Sequence, residues 1–256
     1  MDKKHQERLN HCLTELSLTV VLKEYPDLAE KAQSESLSYE EYLLSALESE
    51  CETRRMRRID RRLKDSRLPL EKNLKTFEMS RLPKKVNQQV KTLMAGDFIS
   101  HNENVLIFGN PGSGKTHLIC ALAQELIKQD KQIYFSSCAI LLQELLLAKK
   151  DLRLPRLLKK LSKYDAIIID DIGYVQQEKE EMEVLFTLLA ERYEQGSVMI
   201  TSNLPFSKWE NIFKDPMMTA AAVDRIVHHS VILELNIDSY RMNAAKNRKT
   251  KEKEAS

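Results

Sequence analysis

Five short apolar runs mark out the second part of the chain. Val105 to Phe108 is unbroken Val-Leu-Ile-Phe, a pattern that predicts a strand buried on both faces of a parallel sheet. Gln132 to Ser136, Ala166 to Asp171, Val198 to Thr201 and Val231 to Leu235 read the same way. His117 to Lys128, Leu141 to Ala148 and Leu152 to Leu161 read as helices, with an interruption near Pro155. Strands alternating with helices predict an α/β fold on a doubly wound, parallel, five-stranded sheet.

The first part has a different rhythm. Residues 1–67 contain no glycine and read as an all-helical domain. Leu9, Leu13, Leu16 and Val20 recur at helical spacing until Pro26, which is expected to break the pattern. Ser38-Tyr-Glu-Glu41 offers a capping box, with Leu37 and Tyr42 placed for a hydrophobic staple. From there a helix of roughly 28 residues, ~42 Å if straight, is expected to reach Ser66. Tyr42, Leu43, Ala46 and Leu47 form its apolar stripe. Its second half carries Arg54, Arg55, Arg57, Arg58, Arg61, Arg62, Lys64 and Arg67 against only Asp60 and Asp65. So dense a basic face suits a phosphate backbone, and an acidic protein partner would read alike. Residues 68–103 read as a connector punctuated by Pro69 and Pro83, with a helix from Pro83 to about Ala95 closed by Gly96.

Composition narrows the class. At 256 residues and 42% hydrophobic content the chain can bury a substantial core, as one large domain or two smaller ones. The expectation is a cytoplasmic protein, since no apolar run approaches the ~20 residues of a membrane span and Met1 to Arg8 lacks a signal-peptide core. Cys12, Cys51, Cys120 and Cys138 have no metal or redox spacing and read as buried free thiols. The net charge of +2 excludes little by itself.

The chemistry gathers where the first strand ends. Gly109, Asn110, Pro111, Gly112, Ser113, Gly114, Lys115 and Thr116 match the P-loop pattern in full, with a strand before and a helix after. Glycines let backbone N–H groups close on phosphate oxygens, and the helix N-terminus adds partial positive charge. Lys115 can reach the β/γ-phosphates and the Thr116 hydroxyl can ligand Mg²⁺, so ATP with Mg²⁺ is the expected cofactor. Asp170 ends an apolar strand at the same sheet edge and suits the second Mg²⁺ contact. Asp171 sits next in line, where a base could orient water. Asn203 follows the fourth strand, either to position water or to cap the next helix. Arg225 precedes the fifth strand and Arg241 follows it, and both read equally well as surface arginines. His228 and His229 are adjacent and cannot share a helix face as a metal pair, so they read as structural.

Together these residues resemble the AAA+ ATPases, and among them the DnaC/IstB group of helicase loaders and insertion-sequence helper ATPases. The resemblance rests on the P-loop, on Ile167-Ile-Ile-Asp-Asp-Ile-Gly-Tyr174 and on Thr201-Ser-Asn-Leu-Pro-Phe-Ser-Lys-Trp209. It extends to Asp224-Arg-Ile-Val-His-His229, Ser239-Tyr-Arg241 and the basic stretch leading to Leu74-Lys-Thr-Phe77. It implies that Asn203 is sensor 1, Arg225 an arginine finger acting on a neighbouring subunit, and Arg241 sensor 2. It also implies an ATPase that forms homo-oligomers with shared ATP sites, assembles on double-stranded DNA with little sequence preference, and stimulates a transposase. Two departures stand out: Asp171 replaces the usual Glu after the first acidic residue, and little chain remains for a helical lid.

The expected organisation is a helical domain at 1–67 for DNA or partner binding and self-assembly, with Arg54, Arg55, Arg57, Arg58, Arg61 and Arg62 facing DNA. The connector at 68–103, the ATPase domain at 104–245 and a basic tail at 246–256 follow. A replicative helicase loader is the second reading, and a small-molecule P-loop kinase the third.

Overall fold

The computed structural model describes residues 2–173, 178–213, 215–237 and 239. The chain divides into two compact units, Met1–Arg61 and Arg62–Ser256.

The first unit is helical. α1 (Lys3–Glu15) and α2 (Thr19–Glu35) are separated at Ser17, whose φ of 56° lies in the left-handed region and ends the α1 hydrogen-bond ladder. Pro26 does not break the pattern as expected. It lies inside α2, where Val20, Val21 and Tyr25 are buried and hold the helix through the site of the lost donor. Leu16, expected on the apolar face, is exposed, because the chain turns immediately after it. α3 (Tyr39–Asp65) starts from the expected capping box, with the Ser38 N–H donating to Glu41 Oε2 at 2.8 Å and the Glu41 N–H to Ser38 Oγ at 3.2 Å. Leu13, Val21, Tyr25 and Ala46 form the small core, whereas Leu43 and Leu47 stay exposed. Glu50 is buried and accepts the Val20 and Val21 N–H groups at 2.7 and 3.2 Å, which caps α2 from a distance. Burial would raise its pKa, but Arg54 and the two amides hold it below the usual carboxylate range.

The second unit begins within α3. Arg67, at φ 61°, ends that helix, and the Ser66 carbonyl accepts from the Phe135 N–H at 2.8 Å. Residues 68–103, expected as a connector, belong to this unit. Leu68, Leu82, Phe98 and Ile99 are buried in it, as are Val86, Val90 and Leu93 of α4 (Lys84–Met94). α4 ends at Gly96 (φ 83°), as its sequence predicts, and a single turn, α5 (Asp97–Ser100), leads into the sheet.

The sheet is all-parallel in the order β2-β3-β4-β1-β5, built from β1 (Asn104–Gly109), β2 (Ile133–Ser137), β3 (Ala166–Ile172), β4 (Ser197–Ser202) and β5 (Ser230–Leu235). The helices are α6 (Lys115–Lys128), α7 (Cys138–Lys150), α8 (Leu154–Leu161), α9 (Lys179–Arg192), α10 (Glu210–Phe213) and α11 (Pro216–Val227). Leu106, Ile167, Ile169, Val198 and Ile200 share one core with α7, α9 and α11. Val105, Ile107, Ile168 and Met199 alternate to the opposite face, against which α6 packs. Cys120 and Cys138 are buried, and burial pushes the Cys120 thiol up to about 12, leaving it inert. Cys12 and Cys51 are exposed, contrary to expectation, because α1 and α3 turn those positions outward.

Candidate nucleotide-binding site

In an open parallel sheet, ligands meet the carboxyl ends of the strands, and the expected site residues collect there. β1 runs into the P-loop, and α6 starts at Lys115. Gly112 and Gly114 hold φ values of 80° and 95°, which other residues rarely adopt. A Cβ on Gly112 would also collide with Ser239 Oγ. Lys115 is only 6% exposed, and its Nζ donates to the carbonyls of Gly109 (2.8 Å) and Asn110 (3.1 Å). That arrangement holds an ammonium at the mouth of a phosphate cradle.

Asp170 is buried at the end of β3. Its Oδ1 accepts from Thr116 Oγ1 at 3.0 Å and from Thr201 Oγ1 at 2.6 Å. Burial raises its pKa and the neighbouring Asp171 adds to the rise, while the two hydroxyls and Lys72 offset part of it. Asp171 has a φ of 59°, at a register shift between β3 and β4, and its N–H donates to Thr201 Oγ1 at 2.8 Å. One fully buried hydroxyl therefore fixes both acidic residues. Thr201→Val keeps the shape and removes both bonds, leaving a backbone N–H without its acceptor. It should lower stability by about 1–3 kcal/mol, with Thr201→Ser near the parent, as read from unfolding midpoints in urea.

Asp171 and Asn203 line one cavity of about 700 Å³ with the P-loop, within the range of ligand sites. Asn203 does not cap the following helix, which begins at Phe206 with Pro205 as its cap. Fully buried Trp209 stabilises this corner by donating from Nε1 to the Leu204 carbonyl at 3.1 Å and packing among Phe108, Phe206 and Phe213.

Sequence reasoning missed a third wall. Lys72, Thr76, Phe77 and Arg81, from the supposed connector, line the same cavity. Asn73 Oδ1 accepts the N–H groups of Lys75 and Thr76 at 3.0 and 3.2 Å, which folds this segment into a tight turn. His117 Nε2 lies 3.0 Å from Thr76 Oγ1 and 3.1 Å from the Asn73 carbonyl, and the Phe77 ring stands edge-on to it at 5.2 Å. The Asn-x-x-Thr spacing was the available signal.

The residues present fit a nucleotide with a divalent cation. Among the described residues no three His, Cys, Asp or Glu side chains form a metal cage. A Thr hydroxyl beside one buried carboxylate is the sparse oxygen set that Mg²⁺ shares with phosphates. Thr116 and Asp170 would hold the cation, and Lys115 the phosphates.

Other expected residues lie apart from this cavity. Arg225 lines a smaller one at the opposite, amino-terminal edge of the sheet, with Asn104, Arg192 and His229. Its Cζ sits 4.6 Å from the Phe186 ring centre. His228 and His229 are exposed and meet edge-on at 4.2 Å. Arg241 and the 246–256 tail lie outside the described residues.

The basic face of α3 is less open than its sequence implies. Arg54 donates to Glu50 Oε1 at 2.8 Å and to the Ser17 carbonyl at 2.6 Å. Arg55 lies 3.7 Å from Glu52, and Arg62 pairs with Asp130 at 2.9 Å. Arg67 joins Tyr134 and Glu144 at 2.9 and 2.7 Å. Arg54, Arg55, Arg57, Arg61 and Arg67 are exposed, and Arg58 and Arg62 are half-buried. Arg57 Nη1 donates to Thr19 Oγ1 at 3.4 Å.

A complete P-loop at the carboxyl edge of this sheet, with an acidic strand end beside it, defines an ATP-binding protein with the AAA+ P-loop fold. The DnaC helicase loader has the same fold, with a TM-score of 0.57 at 18% identity over 66% of this chain and 97% of that one. Residues 11–249 match the IstB-like ATP binding protein family, and the chain belongs to it. An insertion sequence ATP-binding protein of Sinorhizobium fredii is 39% identical over 94% of this chain and 81% of its own length. The ATP-binding protein of insertion sequence IS5376 from Geobacillus stearothermophilus is 32% identical, over 97% of this chain and 99% of that protein.

Proposed function

We propose that this protein is an Mg²⁺-dependent ATPase that assembles on target DNA and regulates the transposase of an insertion sequence. The observation that carries the reading is the Thr116–Asp170–Thr201 cluster beside Lys115, in a chain whose relatives are insertion-sequence proteins. In it Lys115 binds phosphate, Thr116 and Asp170 hold the cation, and Asp171 and Asn203 orient water within one cavity. The cation, when bound, neutralises charge on the phosphates. Arg225 and Arg241 serve shared ATP sites between copies in the cytoplasm. The likeness to DnaC is one of fold at 18% identity, so the loader reading gains no partner from it. Relatives at 32–39% identity favour the transposition reading.

The test is ATP-dependent assembly on duplex DNA without any helicase, together with stimulation of insertion by a transposase of the same insertion sequence. Assembly only in the presence of a replicative helicase would overturn the reading in favour of a loader. Duplex contact through α3 falls first to Arg57 and Arg61, which are exposed and make no ion pair with an acid among the described residues, unlike the exposed Arg54 and Arg55. Changing both to Gln should lower the slope of log K against log salt by up to about 1.8, with ATP affinity unchanged. A duplex titration across a salt series, with ATP and Mg²⁺ present, measures this. An equal slope would remove these two arginines from the DNA interface.

A further inference from the structure

The α7–α8 corner carries a charge pattern that the nucleotide site does not use. Residues 149–163 hold seven Lys or Arg against one acid, Asp151. Leu154, Leu157, Leu158 and Leu161 turn one side of α8 into the core, with Leu158 and Leu161 buried. Arg156, Lys159 and Lys160, at i, i+3 and i+4, share the outward side, and Lys163 continues the row just past the helix end. All four are exposed. Lys149 pairs with Glu183 at 3.2 Å and Lys160 lies near Glu144. Among the described residues Arg156, Lys159 and Lys163 have no acid within ion-pair distance. Leu152, in the turn before α8, is 91% exposed, between Asp151 and Arg153 and two positions after Lys150.

Helix-dipole compensation needs a cation or two in the last turn, not a row along the whole outward side. Solubility does not call for a leucine set in water at the head of such a row. Both features suit a nucleic-acid backbone, where ammonium and guanidinium groups meet phosphates and an apolar tip meets sugars or base steps. From Arg156 to Lys163 the row spans about 10 Å along the helix, or about three phosphate steps of one strand.

We propose that the outward row of α8, Arg156–Lys159–Lys160–Lys163, is a phosphate-backbone contact for duplex DNA on the ATPase unit, separate from the arginines of α3. The proposal rests on the DNA-binding reading above and assigns it a second surface. The row leads into the amino end of β3, whereas the P-loop lies at the carboxyl edge, so nucleotide binding is independent of it.

The experiment compares full-length protein with the triple variant Arg156→Gln, Lys159→Gln and Lys163→Gln. A control with the same charge change, Lys84→Gln, Lys85→Gln and Lys91→Gln, alters exposed lysines of α4. Lys160 is left in place because it supports Glu144. Affinity for a fluorescent random-sequence duplex is measured across a salt series with ATP and Mg²⁺, and melting curves verify the fold. The α8 variant should flatten the log K–log salt slope by about 2–3 relative to the parent, whereas the α4 control should move it much less. A slope equal to the parent's, or equally flattened in the α4 control, overturns the proposal. The first of those results would leave the row for an acidic protein. A parent that does not bind duplex at all overturns the DNA reading itself. A flattened α8 slope beside an unchanged α3 variant supports this surface and removes Arg57 and Arg61 from the interface.

Discussion

Lys115→Ala should keep its fold and lose ATP turnover by about 10²–10³-fold, the scale on which one preorganised charge at a reacting phosphate matters. Lys115 is almost wholly buried, so its ammonium meets ligand oxygens with little water to screen it. In the structure Nζ donates to the Gly109 and Asn110 carbonyls at 2.8 and 3.1 Å, which aims the ammonium along the loop. Alanine suits the first turn of α6, so the change removes a charge and not a helix. Nucleotide affinity should drop together with turnover, because the same contact serves the ground state. A fluorescent nucleotide titration and a phosphate-release assay measure the two, and a melting curve verifies folding. Unchanged affinity and turnover would sink the assignment of this loop to phosphate.

Much of this site was legible because its signals are local. Val105 to Phe108 must be a buried strand whatever surrounds it, and eight consecutive residues carry the P-loop. Asp170 followed from the apolar run Ile167 to Ile169, which ends in charge where a parallel sheet meets its ligand. What escaped depends on contacts far apart in sequence. Thr201 was read only as a strand end, yet its hydroxyl bridges Asp170 and Asp171 across two strands. The turn at Asn73–Thr76 looked like linker because few apolar residues mark it, and its tie to His117 spans more than forty positions. The arginines of α3 looked uniform until Glu50 and Asp130 took up Arg54 and Arg62. Pro26 misled in the other direction, since packing of α2 outweighs one missing donor.

Arg225→Ala should bind ATP with parent affinity and lose turnover by about 10³-fold, the lower end for an arginine that stabilises transferring phosphate from outside the binding chain. The affinity follows from position, because Arg225 lies at the amino-terminal edge of the sheet and does not line the P-loop cavity of its own chain. Its guanidinium rests over Phe186, and Nη1 has no hydrogen-bond partner among the described residues. A cation so placed is held by the ring and not by an acid, so it can be presented to a neighbour without breaking an ion pair. Mixing Arg225→Ala with Lys115→Ala makes the decisive comparison. Each protein is inactive alone, but a head-to-tail interface can join an intact P-loop on the first to an intact Arg225 on the second. With random assembly at equal amounts, about one interface in four is competent, so turnover should recover toward a quarter of the parent rate. Phosphate release is followed across mixing ratios while differently tagged subunits are shown to co-assemble. Co-assembly without recovery at any ratio would mean that Arg225 acts within its own chain or not at all, and the shared site would have to be sought on another residue.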